Sequence, residues 1–287
     1  MADAPAPLPA TQPNLDIGKV LSGTFSVFFS NFWYFFGVTF VAMIAVSVVT
    51  TGLTMAGATT VFALGGGDGD EVAMTVTLLI FVFLLLALGF ALLYIVLARS
   101  SVTAYFGQGS QFASAFGAAF AGFIPLILIG LLLAIPLALG FILLIVPGLY
   151  LAAMFGVVLP ALAYERSGFG ALGRSLELTS GYRWTIVGLN VIWFIIIMAI
   201  NTIFQLILVL VMMAFMGPMF LEISQGGTPD PTMGVGFIIM SFVIQFLSLL
   251  VYCILVPLGV VFPSVIYSRL VEIKEGGSAS SLSEVFS

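Results

Sequence analysis

Two sets of polar side chains interrupt the most apolar parts of this chain. In one segment, Asn190, Asn201 and Gln205 follow at spacings of eleven and four, which places them within about 60° on one side of a helix. The next segment carries a second set, at steps of four, three and four: Ser241, Gln245, Ser248 and Tyr252. Amides are costly in hydrocarbon unless they find hydrogen-bond partners. These two polar seams therefore predict either hydrogen bonds between two helices or a polar lining for a substrate or ion path.

The densest charged segment lies between two apolar ones, at residues 165–183. Its side chains, with the tryptophan that follows, form a second candidate site: Glu165, Arg174, Glu177, Arg183 and Trp184. Arg174 and Glu177 stand three apart on a predicted helix, where an exposed pair contributes only about 0.2–0.5 kcal/mol. The segment can hold the helix at a membrane surface through its own ion pairs. It can also recognise lipid headgroups or a partner protein.

Residues for enzymatic chemistry are missing. The chain has no histidine, which removes the commonest general base and metal ligand. It has no phosphate-binding loop, no acidic cluster at metal-ligand spacing and no nucleophile elbow. The turn Gly65–Glu71 is glycine-rich, but its acidic charge opposes phosphate binding, and a solvated turn is expected over a weak Ca²⁺ site. We therefore expect a non-enzymatic protein with no catalytic residue, no cofactor and no metal.

Composition indicates that the solvent of this protein is lipid. Hydrophobic residues make up 62% of the chain and charged residues 7%, and the mean hydropathy is +1.28. A soluble domain needs a more charged surface than this, and with 12 acidic against 7 basic residues no basic surface for nucleic acid is expected. Six apolar segments predict an all-α integral membrane protein with six transmembrane helices: 32–54, 72–98, two within 118–165, 184–215 and 237–267.

The positive side chains fix the expected topology. All of them fall on one side once the six spans are laid end to end: Lys19, Arg99, Arg166, Arg174, Arg183, Arg269 and Lys274. Because cationic loops resist translocation, this pattern predicts a multi-pass protein of the bacterial inner membrane with both termini in the cytoplasm. The proline-rich residues 1–13 are then a disordered cytoplasmic tail, 14–270 the membrane domain and 271–287 a second cytoplasmic tail.

A pattern recurs three times along the membrane domain, over approximately 14–106, 107–166 and 167–270. Each copy begins with a short amphipathic stretch and continues with two spans; the stretches are residues 17–28, 112–120 and 169–179. This favours three repeats of a cytoplasmic interfacial helix and a transmembrane hairpin. Alternatively, the stretches are the first turns of longer, tilted spans.

Span four carries small or helix-breaking residues four apart: Gly148, Ala152, Gly156 and Pro160. Small residues in this register let two helix backbones approach closely, so we expect helix packing here. A hinge or substrate passage at Gly156–Pro160 is the alternative. Pro136 and Pro147-Gly148 mark the expected turn between spans three and four.

The region 146–187 also resembles a known family, the membrane domain of glycerophosphoryl diester phosphodiesterases. The resemblance rests on these residues: Pro147-Gly148, Pro160, Glu165, Ala171-Leu172, Arg174-Ser175, Glu177-Leu178-Thr179, Gly181 and Trp184. The opening from Leu15-Asp16-Ile17-Gly18 to Asn31-Phe32 is similar too. The resemblance implies a polytopic membrane domain without the catalytic phosphodiesterase domain, for which the chain has neither the length nor a histidine.

Two functions follow as expectations. The first is a membrane scaffold or accessory protein that engages membrane lipids, a membrane-protein partner or a second copy through cytoplasmic interfacial helices. The second is a transporter or a translocator of lipid or another amphiphile that uses the polar seam between spans five and six.

Overall fold

The computed structural model describes residues 14–64, 69–108, 112–165, 167–224 and 231–276. Within these ranges the protein is all-helical. Its helices are α1 (Ile17–Ser30), α2 (Phe32–Leu64), α3 (Gly69–Tyr105), α4 (Phe112–Leu143), α5 (Ile145–Phe155), α6 (Val158–Glu165), α7 (Gly170–Thr179), α8 (Arg183–Ser224) and α9 (Pro231–Glu275). The proposed tail 1–13, Arg166 and most of the proposed second tail, from residue 277 on, lie outside the described residues.

Six of the described segments are long and apolar enough to cross a membrane: Phe32–Gly52, Val76–Tyr105, Phe112–Leu143, Ile145–Glu165, Arg183–Gly217 and Ile239–Glu275. They confirm the predicted number of apolar spans. Most of the helices exceed the predicted segments, because helical structure continues into the polar residues at their ends. In particular, α9 runs to Glu275, past the predicted tail boundary at residue 271.

The predicted second interfacial stretch is not a separate helix. Phe112, Phe116 and Phe120 form the first turns of α4, which continues without interruption to Leu143. In the first and third copies, by contrast, α1 and α7 are separate helices that end at Ser30 and Thr179. The alternative interpretation, in which the stretch opens a longer span, therefore describes this part of the chain.

The turn between α4 and α5 lies at Leu144, whose backbone is extended. Pro136 was predicted to mark this turn, but it lies inside α4 together with Pro125. Pro147 is the third residue of α5, where it lacks an N–H that the first turn of a helix does not use. Proline is tolerated within a spanning helix because its neighbours compensate for the lost backbone hydrogen bond.

Span four consists of two helices, because the backbone breaks between Phe155 and Val158. Pro160 has no N–H to donate to the carbonyl four residues earlier, and its ring opposes a straight helix there. The break leaves the carbonyl of Met154 to the adjacent helix α7. The hydroxyl of Ser175 donates to that oxygen at 2.8 Å. The hydroxyl of Thr179 lies 3.3 Å from it and 2.8 Å from its nearer acceptor, Ser175 O.

The best-packed part of the molecule is the end at which α1 and α7 lie. We call it the charged end, because the described basic residues all lie in helix ends or short helices there. Helix α9 contacts α1, α2, α3, α6, α7 and α8. Its half near the charged end is buried, as Val261, Val265 and Leu270 show. Away from this end the helices expose large apolar side chains, including Leu84, Ile203 and Phe242, as expected for a surface that faces lipid.

Candidate functional site: the charged end and the polar seams

Glu165 is the centre of an ion-pair network at the charged end. Its side chain is 9% exposed, and its Oε1 accepts hydrogen bonds from Arg174 Nε at 2.8 Å and from the Tyr267 hydroxyl at 2.6 Å. Arg174 Nη2 also lies 2.5 Å from an oxygen of Glu275. The four side chains, which we call the charged network, therefore join the end of α6 to α7 and α9.

Arg174 keeps its charge in this setting. Burial disfavours the charged guanidinium, but the hydrogen bonds to Glu165 and Glu275 and the two negative charges outweigh it, so the pKa of Arg174 is raised above its usual range. The neighbour expected from sequence, Glu177, is the weakest partner: its side chain is 74% exposed and lies 3.9 Å from Arg174 Nη1. Glu177 contributes through its backbone instead, since its carbonyl accepts a hydrogen bond from Lys274 Nζ.

Two further arginines support helix ends. Arg99, on α3, donates from Nη1 to the carbonyls of Ala163 and Tyr164, at 3.4 and 3.3 Å. These oxygens lie in the last turn of α6, where a cation also complements the helix dipole. Arg183 opens α8 and donates to the hydroxyl of Tyr150 on α5 at 3.2 Å. The predicted site residues Arg183 and Trp184 thus contact Tyr150, and no described contact joins them to the charged network.

A polar pocket of about 390 Å³ lies beside the charged network, between α1, α3 and α9. It is lined by Gly23, Ser26, Val27, Ser30, Ala104, Tyr105, Arg269 and Glu272. Glu272 Oε2 accepts from the Tyr105 hydroxyl and from Arg269 Nη1, both at 3.0 Å, and the guanidinium of Arg269 lies over the Tyr105 ring.

Hydrogen-bonding capacity remains in this pocket. The Nε of Arg269 is buried, and it has no hydrogen-bond partner in the described part of the chain. None of the site residues predicted from the sequence lines this pocket. The three-residue spacing of Arg269 and Glu272 and the stripe of Lys19, Gly23, Ser26 and Ser30 along α1 are the signals that could have indicated it.

An apolar groove of about 420 Å³ opens sideways between α2, α3 and α4. Gly37 and Gly89 leave space on two helices, and Phe112 and Phe116 cover one end. The lining is almost wholly apolar, so the groove suits a hydrocarbon chain. It contains none of the predicted site residues.

The polar seams lie on the exposed side of α8 and α9. Gln205 and Gln245 are exposed, and Asn190 and Asn201 are half-buried. No hydrogen bond among the described residues joins these amides to one another or to any other group. Ser248 donates back to its own helix, at Ile244 O, and Tyr252 is 40% exposed. Ser241 is also exposed on α9.

The small residues of span four lie at close contacts. A Cβ at Gly148 would lie 2.6 Å from the ring of Phe141 and 2.9 Å from its backbone nitrogen, so α4 and α5 touch through backbone atoms. A Cβ at Gly156 would lie 2.8 Å from the carbonyl oxygen of Ala152. Gly156 and Pro160 flank the break between α5 and α6.

The described residues form no side-chain cluster that identifies a reaction. Comparison with known proteins does not identify one either. Within the described ranges, no three acidic or cysteine side chains converge in a way that could hold a metal ion. No family model, curated protein or solved structure matches this chain.

Proposed function

We propose that this chain is a non-enzymatic protein of the bacterial inner membrane that holds phospholipid headgroups at its cytoplasmic end and acts there as a scaffold or accessory protein. The observation that carries the proposal is the polar pocket between α1, α3 and α9. Its cation, carboxylate and hydroxyls lie beside a long apolar surface. A phospholipid has the same arrangement, because its polar headgroup lies directly above its hydrocarbon chains.

The topology supports a cytoplasmic position for this pocket. All seven lysines and arginines of the sequence belong to one side of the six spans, and the positive-inside rule assigns that side to the cytoplasm. Both termini then lie in the cytoplasm. Helices α1 and α7 are the interfacial helices of the first and third repeats, and the first turns of α4 replace the interfacial helix of the second.

The pocket favours a zwitterionic headgroup over an anionic one. The guanidinium of Arg269 lines the pocket and can donate to a phosphate oxygen. Glu272 uses Oε2 for both of its described hydrogen bonds, which leaves Oε1 for an ammonium group. Phosphoethanolamine carries both charges. Ser26 and Ser30 line the same pocket and add hydroxyls beside the charged pair.

The family resemblance of the sequence, which is itself a proposal about the class of protein, agrees with the proposed function. Three of its polar residues, Glu165, Arg174 and Glu177, meet at the charged end. Their bonds are to other parts of the same chain, so we assign them the task of holding α6, α7 and α9 together beneath the pocket. Lipid contact belongs to the pocket residues.

Native mass spectrometry of the full chain, extracted with its lipids, tests the proposal. Retained phosphatidylethanolamine is expected to exceed phosphatidylglycerol, and Arg269→Gln and Glu272→Gln are each expected to lower that retention about fivefold, because each removes a charge-assisted hydrogen bond. Lys274→Gln is the matched control, since it removes a charge at the same end without lining the pocket. Added free phosphoethanolamine distinguishes a soluble ligand from a lipid. Equal retention of both lipids, or equal loss in Arg269→Gln and Lys274→Gln, would contradict lipid capture at this site.

Translocation of lipid or a small amphiphile is the second candidate. It is favoured by the exposed amides of α8 and α9, which provide polar contacts along an apolar path. Liposomes that contain purified protein would then move lipid between leaflets faster than protein-free vesicles, and Asn201→Leu would abolish the excess. Tight, inactive vesicles favour the scaffold.

A further inference from the structure

Three of the four amides of α8 and α9 lie within about 9 Å of one another in depth. Asn201 and Gln205 lie 18 and 22 positions beyond Arg183, roughly 27 and 33 Å along the helix at 1.5 Å per residue. Gln245 lies 24 positions before Arg269, roughly 36 Å along α9. Since Arg183 and Arg269 both belong to the charged end, the three side chains occupy similar depths. We call them the amide belt.

This layer does not mark the end of the apolar span. Beyond Gln205 the chain continues as ten apolar residues, Leu206–Phe215, and several of their side chains are exposed, including Leu206, Leu210 and Met213. An apolar helix of this kind belongs in hydrocarbon, so the amide belt has apolar surface on both sides along the helix. Gln205 and Gln245 therefore present to lipid amides that have no partner within the described ranges.

Such amides need partners from outside the chain. In hydrocarbon, water cannot satisfy a side-chain amide, and the group becomes a contact point for another helix. The described residues of this chain do not provide the partners. Trp193 stacks on Phe262 at 4.5 Å nearer the charged end, but that contact leaves the amide belt uncovered.

A second copy of the chain is the partner that fits the amide belt. Each amide carries both a donor and an acceptor, so the same surface on a second copy can satisfy both groups across a two-fold axis. The belt carries no charge, and a self-contact therefore brings no like charges together. The surrounding surface is apolar and can close around the amides, as Met198 and Phe242 show. We propose that the chain forms a homodimer through α8 and α9, with hydrogen bonds between the amide belts of the two copies.

Subunit counting of the full chain in lipid nanodiscs or liposomes tests this proposal. The wild-type protein is expected to be dimeric at low protein-to-lipid ratio. Asn201→Leu, Gln205→Leu and Gln245→Leu together are expected to weaken dimerisation at least tenfold while keeping the helical content. Ile203→Ala is the control, because Ile203 is exposed at the same depth but points about 160° away from both Asn201 and Gln205.

The outcomes separate the possible occupants. A dimer in the wild type and in Ile203→Ala, and a monomer in the triple leucine variant, support the proposal. A wild-type monomer at every protein-to-lipid ratio overturns it, whether the amides then meet another protein or line a path for lipid. A dimer that persists in the triple variant also overturns it, because the contact must then lie elsewhere.

Discussion

The charged end and the amide belt both place polar groups in a mostly apolar protein, but they satisfy them differently. At the charged end, Glu165 receives two short hydrogen bonds from within the chain, and Arg99 completes a helix end. In the amide belt, Gln205 and Gln245 find no partner among the described residues. The difference indicates that the first region stabilises the fold of one copy, whereas the second is available for contact with another molecule.

The largest expected effect comes from breaking the charged network. Arg174→Ala removes the cation beside the nearly buried Glu165 and leaves that carboxylate, among the described residues, with the Tyr267 hydroxyl alone. An uncompensated carboxylate at such a site is costly, so we expect a loss of about 2–3 kcal/mol in the free energy of unfolding. Denaturant or thermal unfolding in lipid nanodiscs measures it.

Glu177→Ala is the control for this prediction. It removes a charge from the same helix, but the Glu177 carboxylate is largely exposed and distant from Arg174. The expected change is below about 0.5 kcal/mol. Similar losses in the two variants would mean that net charge, and not the buried contact with Glu165, stabilises this end.

A smaller effect is expected from the turn between α4 and α5, where stability depends on backbone approach and not on polar groups. Gly148→Ala places a methyl group against the ring and backbone of Phe141. Overpacking of this kind typically costs about 1–3 kcal/mol. Gly130→Ala on α4 is the control, since a Cβ there meets no atom within 4 Å. Unfolding midpoints that drop equally for both variants would show that loss of glycine itself, and not the contact, is responsible.

The smallest expected effect concerns the break in span four. Ser175→Ala with Thr179→Val removes both hydroxyls of α7 that lie within hydrogen-bond distance of Met154 O. The carbonyl then has no partner from α7, and we expect a loss of about 1 kcal/mol. Ser22→Ala deletes an exposed hydroxyl that bonds to its own helix, and it should change the unfolding midpoint little. If the double variant is as stable as wild type, the break does not depend on α7.

Local sequence patterns predicted the helices better than their partners. Long apolar segments gave six spans, and the boundary residues Phe32 and Trp184 fell within one position of helix starts. Gly156 and Pro160 were singled out for helix packing, with a hinge as the alternative, and the helix breaks at residues 156–157. Such features depend on hydrophobicity and on backbone chemistry within a few residues, so the sequence carries them directly.

Long-range contacts were not predictable in this way. The three-residue spacing pointed to Glu177 as the partner of Arg174, but the closer carboxylates are Glu165 and Glu275. Glu275 is about a hundred positions away in the chain, and its approach depends on how α9 packs against α6 and α7. The pocket around Arg269 was missed for the same reason, because α1, α3 and α9 each supply part of it.

Cysteine cross-linking in native membranes tests the contrast between the two regions most directly. The only cysteine, Cys253, is replaced by serine, and a single cysteine is then introduced as Gln205→Cys or as Ile203→Cys, which points about 160° away from Gln205. Oxidation is expected to give a covalent dimer with Gln205→Cys, and far less with Ile203→Cys. Equal cross-linking at both positions, or none at Gln205→Cys, would contradict the claim that the amide belt joins two copies.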